Sequence, residues 1–117
     1  MMADVVLKPA PIALSLRKLI GGKANAINYN DANQVYKYLC VYMDANLPVV
    51  LSFKGINLCS AVFLNIVIGQ LYSKYSREML TANISLHDMD HAIRETLRRV
   101  IRSAKATLQP GEKGVDK

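Results

Sequence analysis

The feature that most constrains this chain is a stretch of nineteen residues without a charge, from Gly55 to Ser73. A stretch of this length must be buried, either in lipid or inside a protein. It is interrupted at nearly every helical turn by polar residues or glycine, namely Asn57, Ser60, Asn65, Gly69, Gln70 and Ser73. Because a lipid-facing helix tolerates few polar groups, the stretch predicts a helix buried in protein rather than a membrane span.

Short apolar runs of strand type lie on both sides of this stretch. Val49–Phe53 is bounded by Pro48 and Lys54, which is typical of a buried central strand. Asn83–His87 predicts another strand, and Asp4–Leu7 a short strand near the start. Ile12–Ile20 fits both strand and helix spacing, and Gly21-Gly22 ends it in either case. A short extended piece is expected at residues 26–29.

Three helices are predicted between these strands. The first is capped by Asn30 or Asp31 and runs to about Ala45, with apolar positions at Val35, Leu39, Tyr42 and Met43. The second covers about residues 60–75 and is apolar nearly all round. The last opens near Asp88 or Asp90 and carries a one-sided apolar stripe at Ile93, Leu97, Val100, Ala104 and Leu108.

The alternation of strands and helices predicts an α/β fold with parallel strand pairs joined by helical crossovers. A length of 117 residues, with 51% hydrophobic and 21% charged residues, suits one folded domain. We assign that domain to residues 12–108. Residues 1–11 are expected to be an N-terminal extension or edge strand, and residues 109–117 a disordered tail, because Pro110, Gly111 and Gly114 disfavour regular structure there.

The sequence also indicates the compartment. Cys40 and Cys59 form no Cys-x-x-Cys motif and have no histidines at metal-ligand spacing, so we expect both to be buried, reduced thiols. The start of the chain has no basic segment that leads into an apolar run, and we therefore expect a cytoplasmic protein.

No motif in the chain predicts catalysis or a bound cofactor. The segment from His87 to His91 contains two histidines and two aspartates, which in principle could bind one metal ion. Asp88 and Asp90 also lie where a helix takes an acidic cap, and this interpretation is favoured. We therefore predict no catalytic, cofactor or metal site, and keep a metal-dependent hydrolase acting through His87 and His91 as the least favoured alternative.

The formal charge of +6 and the pI near 9.5 raise a nucleic-acid hypothesis. The basic residues that would contact phosphates lie on the last helix and are Arg94, Arg98, Arg102 and Lys105. No aromatic residue accompanies them, and Glu95 stands four residues before Arg99, which predicts a local ion pair. An ordinary solvated face is therefore favoured over a nucleic-acid site.

Three segments in the middle of the chain resemble a known family. They are Val49–Ile56, Ser60–Asn65 and Ile68–Tyr72, of which Phe-Leu-Asn and Ile-Gly-Gln-Leu-Tyr are the most specific pieces. They are similar to the STAS-like domains, which are related to sulfate-transporter and anti-sigma-factor-antagonist domains and occur in bacteria and phages. The resemblance implies a small mixed sheet with helices packed mainly on one face. It also implies association with histidine-kinase-like ATPases.

The resemblance draws attention to Ser60 as a candidate phosphoacceptor. In the anti-sigma-factor antagonists, a serine at the start of the helix after the central strand is phosphorylated by such an ATPase. Ser60 holds the matching position here, but the Asp-Ser-Ser-Gly pattern of those proteins is missing, since Val62 stands about where glycine would be. The favoured role of Ser60 is therefore that of a helix N-cap.

Our first hypothesis is a non-enzymatic regulatory module that binds a protein partner. The second predicted helix is more apolar than one sheet face can cover, so its row of Leu64, Ile68 and Tyr72 is expected to need cover from other helices or from another chain. We place the partner-contact surface at Asn57, Ser60, Ala61 and Leu64. The alternative is a small basic nucleic-acid-associated protein of the kind that phages and mobile elements encode.

Overall fold

The structure is a computed structural model that describes residues 10–113, with side chains described for residues 10–106. The predicted strand Asp4–Leu7 therefore lies outside the described residues. In chain order the elements are β1 (Ile12–Ser15), α1 (Leu16–Leu19), β2 (Asn25–Ala26), α2 (Tyr29–Asp44), β3 (Val49–Ser52), β4 (Leu58–Cys59), α3 (Ala61–Leu64), a π-helical turn (Asn65–Gly69), α4 (Leu71–Lys74), α5 (Arg77–Asn83), β5 (Ile84–His87) and α6 (His91–Lys113).

The main sheet has three strands in the order β1-β3-β5, and both pairs are parallel. The expected α/β class is thus confirmed. The sheet was expected to be mixed, but within residues 10–113 every strand pair is parallel. The physical reason is that a helix lies between each strand and the next strand of the main sheet, and such a connection returns the chain in the same direction.

The helices pack on one face of this sheet, as the resemblance implied. The pairing places Ile12, Val49 and Ile84 side by side, and Leu14, Leu51 and Leu86 in the next such row. These six side chains belong to the core or pack against it. The alternate positions Ala13 and Ser85 are exposed, because successive strand residues point to opposite faces.

Helix starts follow the capping side chains. The ambiguous segment Ile12–Ile20 contains both structures, because Ser15 ends β1 and caps α1 by accepting a hydrogen bond from the Lys18 backbone N–H. The capping residue predicted for the next helix, Asn30 or Asp31, was wrong. Asn28 caps α2, since its side chain accepts from the Asp31 backbone N–H at 2.9 Å, which places Asp31 inside the first turn.

The charge-free stretch does not form the single helix that we predicted. After four α-helical residues it widens into a π-helical turn at Asn65–Gly69 and resumes as α4. A Cβ at Gly69 would collide with the side-chain oxygen of Asn65, four residues earlier. The same Cβ would lie 3.5 Å from a methyl group of Val100 in α6. The backbone at Gly69 therefore lies close to α6.

The cover for this stretch comes from the chain itself. Leu64 is fully buried, Ile68 is buried and Tyr72 is half-buried. Of the two expected sources of cover, other helices and another chain, the helices of this chain provide it, because α6 contacts α3, the π-helical turn and α4.

The final helix is longer than predicted. α6 runs to Lys113 and so includes residues 109–113, which we had assigned to a disordered tail. An existing helix elongates without a new nucleation step, and residues 109–113 continue α6 although Pro110 lacks a backbone donor and a proline ring opposes the carbonyl four residues earlier. Residues 114–117 lie outside the described residues. No helix in the described part of the chain is long and apolar enough to cross a membrane.

Candidate partner-binding surface

The predicted contact segment is held by a second, two-stranded sheet. β2 and β4 pair in parallel, with Ala26 beside Cys59. The Ser60 backbone N–H donates to the Ala26 carbonyl at 3.1 Å, which extends the pairing by one bond. The extended piece around Ala26 was predicted, but β4 was not, because a two-residue strand is too short to show alternation.

Ser60 is the N-cap of α3, as predicted. Its side-chain oxygen accepts a hydrogen bond from the Phe63 backbone N–H at 3.0 Å, and the residue is half-buried. Asn28 caps α2 after β2 in the same way that Ser60 caps α3 after β4. Since β2 and β4 are parallel, both helices start at the same end of the pair.

The turn before β4 is fixed by several backbone contacts. Gly55 has a φ of 84°, and a Cβ there would lie 2.9 Å from the Arg17 side chain. Arg17 is anchored in turn, because its Nε donates to the Gly22 carbonyl at 2.8 Å. The Asn57 backbone N–H donates to the Ala24 carbonyl at 2.8 Å. The segment that leads to Ser60 therefore has a defined conformation.

Large apolar side chains are exposed around this end of the β2–β4 pair. Ile27 and Leu58 are 56% and 53% exposed, and Tyr29 and Val62, in the first turns of α2 and α3, are 64% and 59% exposed. Leu58 lies on the side of the pair opposite to the buried Ala26 and Cys59, and strand alternation places Ile27, the residue after β2, on that side as well. Four exposed apolar side chains in one region favour a contact with another molecule. We call these four residues the apolar patch.

The predicted contact residues fall into two groups. Asn57 and Ala61 are exposed and Ser60 is half-buried, so all three lie at or near the surface beside the apolar patch. Leu64 was wrongly assigned, since it is fully buried. Residues four apart on a helix share a face, so Leu64 lies on the same face as the covered Ile68. Val62, two positions before Leu64, lies on the outer side of α3.

The basic residues of α6 are mostly at the surface. Arg94, Arg98 and Arg102 are exposed, whereas Lys105 is half-buried with its Nζ 6.0 Å from the centre of the Tyr72 ring. The ion pair predicted between Glu95 and Arg99 is replaced by one between Glu95 and Arg98 at 3.2 Å. Arg99 instead donates to the Thr96 side-chain oxygen at 3.4 Å, which is one turn away on the same helix.

The two aspartates between His87 and His91 have structural partners. Asp90 accepts from the Ile93 backbone N–H at 2.8 Å and caps α6, as predicted. Asp88 has a φ of 63° and accepts a hydrogen bond of 2.6 Å from the Ser52 hydroxyl at the end of β3. Both histidines are exposed. Among the described residues no group of three or more histidine, cysteine or acidic side chains is placed to hold a metal ion.

Both cysteines are free and buried. Burial raises the pKa of the Cys59 thiol from 9.0 to about 12, so the thiol stays protonated at neutral pH. The prediction of buried, reduced thiols is confirmed as far as burial and the absence of a disulfide between the two residues are concerned.

These features define a small α/β domain with a three-stranded parallel sheet, covered on one face by helices. A family model described as a STAS-like domain of unknown function (DUF4325) matches residues 31–94. The chain belongs to this family of STAS-like domains, as the sequence resemblance indicated. No curated protein and no solved structure matches the chain.

Proposed function

We propose that this domain is a non-enzymatic regulatory module that binds a protein partner through the apolar patch and the adjoining turn from Asn57 to Ala61. The observation that carries the proposal is the exposure of Ile27, Tyr29, Leu58 and Val62 at one end of the β2–β4 pair. Burial of such side chains is what stabilises most protein complexes. The partner class that the family resemblance suggests is a histidine-kinase-like ATPase.

The position of Ser60 within the proposed contact surface makes partner binding sensitive to a negative charge added at this residue. Ser60 lies between the exposed Ile27 region and the exposed first turn of α3, and its hydroxyl is already used as a cap. A negative charge at this position would have to be desolvated when an apolar partner surface docks, which costs free energy. Modification of Ser60 would therefore weaken the complex and leave the domain folded.

The test measures binding of the purified domain to the histidine-kinase-like ATPases of the same organism by isothermal titration calorimetry. Val62→Asp should weaken the complex by about tenfold or more, as expected for loss of an apolar contact at the centre of an interface. The matched control is Val41→Asp, because Val41 is 63% exposed and lies about 18 Å along α2 from Tyr29. This control should retain binding.

Ser60 variants complete the test. Ser60→Asp keeps a good N-cap and should weaken binding about tenfold without a loss of stability. Ser60→Ala removes the cap, so it should lower the free energy of unfolding by about 1 kcal/mol and leave the affinity unchanged. Unchanged affinity for Val62→Asp and Ser60→Asp together would exclude this surface.

The exposed row of Arg94, Arg98 and Arg102 is the observation that favours the second candidate function, a nucleic-acid-associated protein. A single acidic side chain, Glu95, forms an ion pair within that row. The two candidate functions use different elements, since the apolar patch belongs to the β2–β4 region and the basic row to α6.

A further inference from the structure

A cavity of about 270 Å³ lies between α4, α5, β5 and α6, away from the residues of the apolar patch. The side chains that line it are apolar apart from the hydroxyls of Tyr72 and Thr81. The side chains that define it include Ile68, Tyr72, Thr81, Ile84, Leu86 and Ile101. Small-molecule sites in proteins have this character, with apolar walls and a few polar groups that orient the ligand.

Two positive charges lie beside the cavity. The Lys105 Nζ is 6.0 Å from the centre of the Tyr72 ring. Arg77 lies four residues, about one helical turn, before the lining Thr81 on α5, and its charge lowers the pKa of Tyr72, which burial raises. Among the side chains of residues 10–106, neither Lys105 nor Arg77 forms an ion pair. Glu78 lies beside Arg77 in α5 and is exposed.

The volume limits the size of a ligand. A protein cavity of about 150 Å³ holds one benzene molecule, so 270 Å³ has room for about ten non-hydrogen atoms. An apolar wall with cations at its edge is complementary to a molecule with an apolar body and one negative charge.

We propose that this cavity binds a small amphipathic anion, an apolar chain of about eight carbon atoms that ends in a carboxylate, with the chain between β5 and α6 and the carboxylate near Lys105 and Arg77. This site is separate from the proposed partner-binding surface. Failure of one proposal in its experiment therefore leaves the other proposal unaffected.

The experiment is a titration of the full chain with octanoate, followed by the backbone amide signals in nuclear magnetic resonance spectra. Octanoate has ten non-hydrogen atoms, and we expect saturable shifts at Thr81, Ile84 and Ile101. Octanol, which lacks the charge, should bind about fivefold more weakly, in keeping with an exposed ion pair. Octylammonium should not bind at the same concentrations.

Three variants test the location and the charge. Lys105→Gln should weaken octanoate binding about fivefold and leave octanol binding unchanged. Lys37→Gln, which removes an exposed lysine on α2, is the matched control and should bind as the parent does. Thr81→Trp places a large ring at the exposed edge of the cavity and should weaken both ligands more than about tenfold.

Absence of saturable octanoate binding to the parent chain would overturn the proposal. Binding that is unchanged in Lys105→Gln, or that shifts amides remote from the cavity, would also overturn it. If Thr81→Trp fails to fold, the surface variants Lys105→Gln and Lys37→Gln still decide the outcome.

Discussion

At the residue scale, Cys59 shows how the environment of one side chain changes its chemistry. The thiol is in β4, immediately before the capping Ser60, and is 5% exposed. Burial raises its pKa to about 12 because the thiolate would lose its hydration. Cys59 is therefore an apolar core residue at neutral pH, next to a half-buried serine.

The raised pKa predicts a loss of stability at alkaline pH. Below pH 9 both the folded and the unfolded chain keep the proton. Between pH 9 and about 12 the unfolded chain releases the proton and the folded chain retains it, so stability falls as pH rises. At pH 10 the loss from this group is roughly 1 kcal/mol.

Urea unfolding of the parent chain and of Cys59→Ala at pH 8 and pH 10 measures this loss. The difference in unfolding free energy between the two proteins should shrink by roughly 1 kcal/mol at the higher pH. Tyr36, whose pKa burial raises to about 12, contributes equally to both proteins and cancels in the comparison. A difference that is the same at both pH values would contradict the buried-thiol interpretation.

At the scale of elements, α6 combines two roles on different sides. Ile93, Leu97 and Val100 are buried in the core, and Arg94, Arg98 and Arg102 are exposed. The spacing of three and four residues places each set on its own side of the helix. Any amphipathic helix has a solvated polar face, so the basic side of α6 needs no function to explain it. Nucleic-acid binding would require further features, such as aromatic stacking residues.

A gel-shift assay tests the basic side of α6. We expect no complex with duplex or single-stranded nucleic acid at low salt, because aromatic stacking residues are absent from the described part of this side and Arg98 is already paired with Glu95. A complex at low salt that is lost toward physiological salt, and that Arg98→Glu with Arg102→Glu abolishes, would establish the nucleic-acid function instead.

At the scale of the whole molecule, stability is unevenly distributed between the two sheets. β3 pairs with a strand on each side, and Leu51 at its centre is fully buried. The β2–β4 pair has two residues per strand, and the Leu58 backbone N–H is 3.4 Å from its acceptor, the Ala24 carbonyl. The proposed partner surface therefore belongs to the less strongly held part of the fold.

Hydrogen exchange should show this difference directly. We expect the Leu51 amide to exchange only through global unfolding and the Leu58 amide to exchange through local opening, at a rate at least about a hundredfold higher. Titration with a small amount of urea distinguishes the two, since global exchange accelerates with urea and local exchange changes little. Equal rates for the two amides would contradict the proposed difference.

Much of the fold could be predicted because its determinants are local in the chain. The β-branched run at Val49–Phe53, the strand at Asn83–His87 and the stripe from Ile93 to Val100 each carry their periodicity within a few residues. The Ser60 and Asp90 caps are local as well, since a cap bonds a backbone N–H three residues away. The α/β class follows from the order of these segments.

The missed elements share a different physical cause. α5 (Arg77–Asn83) is capped by Ser76, whose side chain accepts from the Met79 backbone N–H at 3.1 Å, but its seven residues give too short a pattern to recognise. β4 is defined by its pairing with β2 rather than by its own residues. Asn57, Ser60 and Ala61 lie at or near the surface, as a contact surface requires, while the burial of Leu64 depended on how α6 packs against α3.

The sequence by itself determined the α/β class, the order of the main strands and helices, the capping serine and the family. Only the tertiary structure decided which apolar side chains remain exposed, because exposure depends on what distant segments cover. It covered Leu64 and Ile68 with α6, left Val62 and Leu58 at the surface, and formed an open pocket where α4, α5 and β5 meet α6. Those outcomes result from packing between segments, and no short pattern of residues encodes them.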